Sequence, residues 1–102
     1  MRGVRKVTME GGKATGVSVK WDGGQFCFIS TGRGILGCGI FNIEVFNEFN
    51  MAGALMKGTP ERPYIEPEDL LGGKVTIISK AAAKLGIKRG MTGKKVLKKL
   101  LD

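Results

Sequence analysis

Glycine recurs at intervals of about ten residues through the first 41 positions, as Gly11-Gly12, Asp22-Gly23-Gly24 and Gly32-Arg33-Gly34. Glycine supplies the positive φ that tight hairpin loops demand, so this punctuation leaves room only for short strands that double back on one another. It predicts four strands, Gly3 to Met9, Ala14 to Trp21, Gln25 to Thr31 and Ile35 to Phe41. In the second, Val17, Val19 and Trp21 alternate with Ser18 and Lys20, the period of a strand with one buried face. In the third, Phe26 and Phe28 occupy one face and Cys27 and Ile29 the other, so that strand is expected to be central and covered on both sides.

Beyond the meander the pattern changes. Asn42 to Phe49 fits a short helix capped by Asn42, with a continuing strand as the other reading, and Met51 to Met56 is an apolar segment able to return to the sheet. All three prolines lie between Pro60 and Pro67, which marks Thr59 to Glu66 as a surface loop and places Pro67 at the start of a short helix stopped by Gly72-Gly73. Val75, Ile78, Ala82 and Leu85 follow helical spacing, although the β-branched run Val75-Thr76-Ile77-Ile78 delays the helix to Thr76. Gly86 suits the left-handed position after that helix. Thr92 then caps a last helix with an apolar stripe of Val96, Leu97, Leu100 and Leu101 and outward Lys94, Lys95, Lys98 and Lys99. Strands followed by helices imply an α+β domain, a two-layer sandwich of antiparallel sheet with helices packed on one face.

At 102 residues the chain is of single-domain size and buries about two thirds of its unfolded surface, enough for a real core. Its net charge of +8 is not spread evenly. Residues 1–73 carry eight basic and eight acidic side chains, whereas residues 74–102 carry nine basic ones and only Asp102. That asymmetry is a pointer to a small anion or polyanion partner, weighed against lysines that simply solvate helix faces. No apolar run approaches the ~18 residues of a membrane span, and the start Met1-Arg2-Gly3-Val4-Arg5-Lys6 lacks an apolar signal block, so a cytoplasmic protein without a membrane partner is expected.

Gly34-Ile35-Leu36-Gly37-Cys38-Gly39, Asn42 to Glu44, Glu68-Asp69-Leu70-Leu71 and the run Leu85-Gly86-Ile87-Lys88-Arg89-Gly90-Met91-Thr92-Gly93 occur in succession. Together they resemble the YunC-like family of uncharacterised bacterial and archaeal proteins, over about residues 25 to 99. The resemblance implies a small two-layer α/β domain, an N-terminal β region (residues 1–24) that forms a homotetramer around a body of residues 25–102, and no established activity. The proline-bearing loop from Thr59 to Glu66 is longer than the family's usual pattern. Self-association also follows from the residues, because a glycine-punctuated ribbon cannot bury Val17, Val19 and Trp21 alone.

Candidate chemistry is sparse. The chain has no histidine, which removes the usual general base and the commonest metal ligand, and two cysteines are too few for a zinc site, so neither metal nor cofactor is expected. Cys38 is the candidate catalytic residue: it lies between Gly37 and Gly39, just ahead of a helix start that favours a thiolate, though a buried structural thiol fits the same setting. If Gly32-Arg33 is a two-residue loop, Thr31 faces Gly34 and Cys27 faces Cys38, within disulfide reach, while reduced thiols are the intracellular default. Candidate ligand-binding residues are Thr92, Gly93, Lys94 and Lys95, where lysines oppose the helix dipole unless an anion sits there, and Asn42 at the other helix start. Glu44, Glu68 and Asp69 show no acid–base spacing, and Glu68-Asp69 suit a helix start. Binding or scaffolding is therefore expected rather than catalysis, with polyanion binding and a thiol-dependent enzyme as the alternatives.

Overall fold

The computed structural model describes residues 3–102, and the charged start Met1-Arg2 lies outside them. Among the described residues six strands form one sheet in the spatial order of the sequence: β1 (Gly3–Met9), β2 (Ala14–Trp21), β3 (Gly24–Thr31), β4 (Gly34–Cys38), β5 (Ala52–Met56) and β6 (Ile77–Ile78). Three α-helices, α1 (Ile43–Glu48), α2 (Lys80–Lys84) and α3 (Gly93–Leu101), and 3-10 turns over Glu10–Gly12 and Pro67–Gly72 complete it.

The glycine turns fall where the punctuation puts them. Trp21 pairs with Gly24 across the two-residue loop Asp22-Gly23, and β3 meets β4 with Phe28 opposite Gly37 and Ser30 opposite Ile35. The first turn is longer: Met9 pairs with Ala14, and Glu10, Gly11 and Gly12 all have positive φ. The fourth strand stops at Cys38 rather than Phe41, because Gly39-Ile40-Phe41 turns away and carries the Phe41 ring back over the sheet.

The α+β class holds, with two departures from a purely antiparallel sheet covered on one face. β4 and β5 are parallel, Leu36 opposite Ala54, and parallel neighbours cannot be joined by a hairpin. Helix α1 is the crossover, and it packs on the face opposite the other helical segments. Its Phe46 ring lies over Gly53 so closely that a Cβ there would sit 2.3 Å from a ring carbon. Phe41 stands edge-on to Phe46, Phe28 and Phe26, with ring centroids 5.7–6.4 Å apart. This is how the double-sided apolar character of β3 is used. On the other face Cys27, Ile29, Leu36, Ala54 and Met56 meet Leu70, Val96, Leu97 and Leu100 from the Pro67–Gly72 turn and α3.

The segment after Gly73 differs most from its periodicity. Residues 75 to 78 are extended, with the Thr76 amide donating to Leu55 O at 2.9 Å and β6 pairing antiparallel with β5. The helix begins only at Lys80, capped by Ser79. β-Branched residues fit a pleated edge better than a helix start, and all four residues of this run are β-branched. Gly86 takes φ 90° after α2, and Thr92 caps α3, whose Val96, Leu97 and Leu100 are buried.

Candidate functional site

Cys38 is the last residue of β4, and its parallel partner Met56 is the last residue of β5. Both chains therefore leave the sheet side by side, and crevices open where adjacent parallel strands end. The loops after them, joined by the start of β3 and the proline loop, surround an open cleft of about 220 Å³. Gln25, Cys38, Ile40, Lys57, Thr59 and Tyr64 line it. The loop is held by paired backbone bonds, Thr59 N–H to Arg62 O at 3.3 Å and Arg62 N–H to Thr59 O at 3.1 Å. Gly58 permits this closure, since a Cβ there would lie 2.8 Å from Arg62 O. Cys38 is thus a buried residue at the edge of the cleft rather than one sealed in the core.

Cys27 lies behind it. The paired register of β3 and β4 ends at Phe28 and Gly37, so the next residue of each strand is Cys27 and Cys38, and these two are close enough for their thiols to hydrogen-bond. Both are free thiols, Cys27 fully buried and Cys38 with 8% of its surface exposed. The Cys27 thiol hydrogen-bonds to the Cys38 sulfur, which pulls the Cys38 thiol down to about 6 against the opposing effect of burial, with further help from the backbone N–H groups of Cys27, Ile40 and Cys38 itself. The same bond, together with burial and the negative charge of Cys38, pushes the Cys27 thiol up.

The remaining candidate residues lie elsewhere. Asn42 caps α1, its Oδ1 accepting from Glu44 N–H at 2.9 Å. Thr92 caps α3 by accepting from Lys95 N–H at 3.3 Å, and Gly93 N–H donates to Gly73 O at 2.8 Å. Two of the donors an anion would use at that helix start are thus engaged within the protein. Gly93 is wedged against the Pro67–Gly72 turn, where a Cβ would meet Leu70 O at 1.8 Å. Lys94 and Lys95 are exposed.

Glu68 and Asp69 do more than favour a helix start. Asp69 Oδ2 accepts from Glu66 N–H at 3.0 Å in a capping box. Glu68 receives a forked pair of bonds from Arg5 at 2.7 and 2.9 Å, and Glu66 accepts from Arg5, Ser18 and Lys20. Arg5 holds the Glu68 carboxyl down at about 2, and Lys20 first, then Ser18 and Arg5, lower that of Glu66. These charges clamp β1 and β2 to the turn. Among the described residues no group of three or more His, Cys, Asp or Glu side chains could hold a metal ion, and no helix is long and apolar enough to cross a membrane.

The sequence reading missed Gln25, Lys57, Thr59 and Tyr64, which are unremarkable in type and far apart along the chain. Their signal was indirect: a glycine next to Lys57 and prolines crowding one loop.

The model of a family described as a domain of unknown function, DUF1805, matches residues 37–100. The chain belongs to this family. The DUF1805 match takes in Cys38, the cleft loops and α3, and leaves β1 to β3, with Cys27, outside. It is consistent with the YunC-like resemblance of the sequence. Among solved structures this DUF1805 chain is similar to a protein of unknown function, TA1206, from Thermoplasma acidophilum. The TM-score is 0.78 at 26% identity, over 98% of this chain and 93% of that one. No curated protein matches.

Proposed function

We propose that this DUF1805 protein is a cytoplasmic homo-oligomeric binding or scaffolding module of the YunC-like kind, a tetramer assembled through its N-terminal β region, with residues 25–102 as the body. The observation that carries the reading is a continuous apolar row on the outer face of that region. Val4, Val19 and Phe26 stand directly opposite one another across β1, β2 and β3. Trp21 packs beside Phe26 at 6.0 Å, yet Val4 remains 64% and Trp21 42% exposed. Arg5 and Lys20, which would keep such a ribbon solvated, point to the opposite face and are tied to Glu66 and Glu68. A self-complementary apolar face of this kind is what a two-fold interface between copies uses. Sedimentation equilibrium tests it. The wild type is expected to run as a tetramer and Trp21→Lys as a smaller species with unchanged circular dichroism, and a monomeric wild type at every concentration would overturn the reading.

Polyanion binding is the second reading, and the exposure of Lys80, Lys84, Lys88, Arg89, Lys94, Lys95 and Lys98 favours it. Its signature is retention on nucleic acid that falls steeply with salt, and retention indifferent to salt would exclude it.

A further inference from the structure

We propose that Cys38 and Cys27 form a hydroperoxide-responsive thiol pair, in which Cys38 takes up the oxidising oxygen at the cleft and Cys27 resolves it into a cross-strand disulfide within one chain. Three features of the geometry converge on this. Strand register sets the two thiols against each other, and directly opposed residues in an antiparallel pair have Cα separations of about 4.5–5.5 Å, inside the range a disulfide spans without moving the backbone. The thiols differ in access: Cys38 borders a cleft of about 220 Å³, ample for a small peroxide, whereas Cys27 is fully buried and does not line that cleft. Donors also converge on the Cys38 sulfur, from the Cys27 thiol and from the backbone N–H groups of Cys27 and Ile40, so negative charge there is compensated without any histidine. Residues Lys57, Thr59 and Tyr64 line the same cleft, through which the leaving oxygen departs.

The chemistry balances with a hydroperoxide as the only oxidant. The Cys38 thiolate attacks the nearer peroxide oxygen, an S–O bond forms, the O–O bond breaks, and the alkoxide or hydroxide that leaves takes a proton from water. The sulfur of Cys38 is oxidised to a sulfenic acid while the peroxide is reduced to an alcohol or water. Cys27 sulfur then attacks Cys38 sulfur, the S–S bond forms, the S–O bond breaks, and the hydroxide leaves as water with the Cys27 proton. Cys38 lies on the sheet face opposite Val4 and Trp21, so this proposal and the assembly reading stand or fall separately.

The experiment treats the reduced full chain with stoichiometric hydrogen peroxide, quenches it, alkylates in denaturant and measures intact mass. The wild type is expected to lose about 2 Da and both alkylatable thiols together, with full recovery on reduction. Cys38 should react roughly tenfold faster than free cysteine at neutral pH. In Cys27→Ala the reaction halts at Cys38 with a gain of about 16 Da that a sulfenic-acid probe captures. In Cys38→Ala the buried Cys27 remains alkylatable, and serine at either position gives the same pattern where alanine disturbs packing. The proposal is overturned by any of three results: both wild-type thiols survive peroxide that fully oxidises free cysteine, the disulfide joins two chains, or Cys38→Ala consumes peroxide at the wild-type rate.

Discussion

Gly93, packed against the Pro67–Gly72 turn, and Gly72, at the end of that turn, are expected to respond oppositely to a methyl group. A Cβ on Gly93 would meet the Leu70 carbonyl oxygen at 1.8 Å, and backbone cannot yield as a side chain does, whereas a Cβ on Gly72 meets nothing within 4 Å. Gly93→Ala should therefore destabilise by at least ~1–3 kcal/mol through overpacking, while Gly72→Ala stays near neutral or stabilises slightly, as urea midpoints will show. Ser79 offers a second contrast at this scale. Its buried hydroxyl donates to Met51 O at 2.8 Å and accepts from Gly53 N–H at 2.9 Å and Ala82 N–H at 3.2 Å, joining β5 to α2. Ser79→Ala leaves those groups unsatisfied in the core and should cost about 1–3 kcal/mol, measured the same way. Both roles escape sequence reading. A serine before a helical run announces a cap, but that the same oxygen ties down the start of β5 depends on which strand lies beside it.

At the scale of elements, the N-terminal hairpin is held to the Pro67–Gly72 turn by Arg5, Lys20, Glu66 and Glu68. Both carboxyls titrate lower in the folded protein than in the unfolded chain, where glutamate has a pKa of about 4.3. Their stabilisation is thus complete above that value and is lost as the pH falls through the folded values, near 2 for Glu68. These side chains are partly exposed, so solvent screening leaves each pair only a small contribution. The stability difference between wild type and Arg5→Met should hold from neutral pH down to about 4.3 and shrink toward pH 2. A difference independent of pH would assign Arg5 to packing instead. Individual strands were legible in their turns, since Gly3 to Met9 and Ala14 to Trp21 form at the expected bounds, but the buried face of β2 is that of Ala14, Gly16 and Ser18 under the Pro67–Gly72 turn, while Val17 and Val19 are half-buried and Trp21 is exposed. The helical spacing from Val75 to Leu85 misled because Val75 and Ile78 serve an extended segment pairing with β5, a demand imposed by a neighbour rather than by local propensity.

At the scale of the whole molecule, the neutral first 73 residues and the basic remainder divide the protein unevenly. The proposed assembly should respond to Trp21→Lys far more than to ionic strength, because the face carrying Val4, Val19 and Trp21 is apolar. Dissociation of the wild-type assembly by salt alone would move the interface to the charged helices. The sequence by itself determined the strand meander, the helix cap at Thr92, the α+β class and the address of the excess charge, since these follow from turn stereochemistry, residue period and counting, whereas the helix capped by Asn42 was one of two readings until the structure chose it. It also placed Cys27 against Cys38 once a two-residue turn was assumed. Only the tertiary structure decided that β4 and β5 run parallel, that α1 and the aromatic rings cover the second face, and that a cleft with Lys57, Thr59 and Tyr64 opens onto Cys38. Those outcomes depend on which segments lie adjacent in space, and local stereochemistry is silent about neighbours that are far apart in the chain.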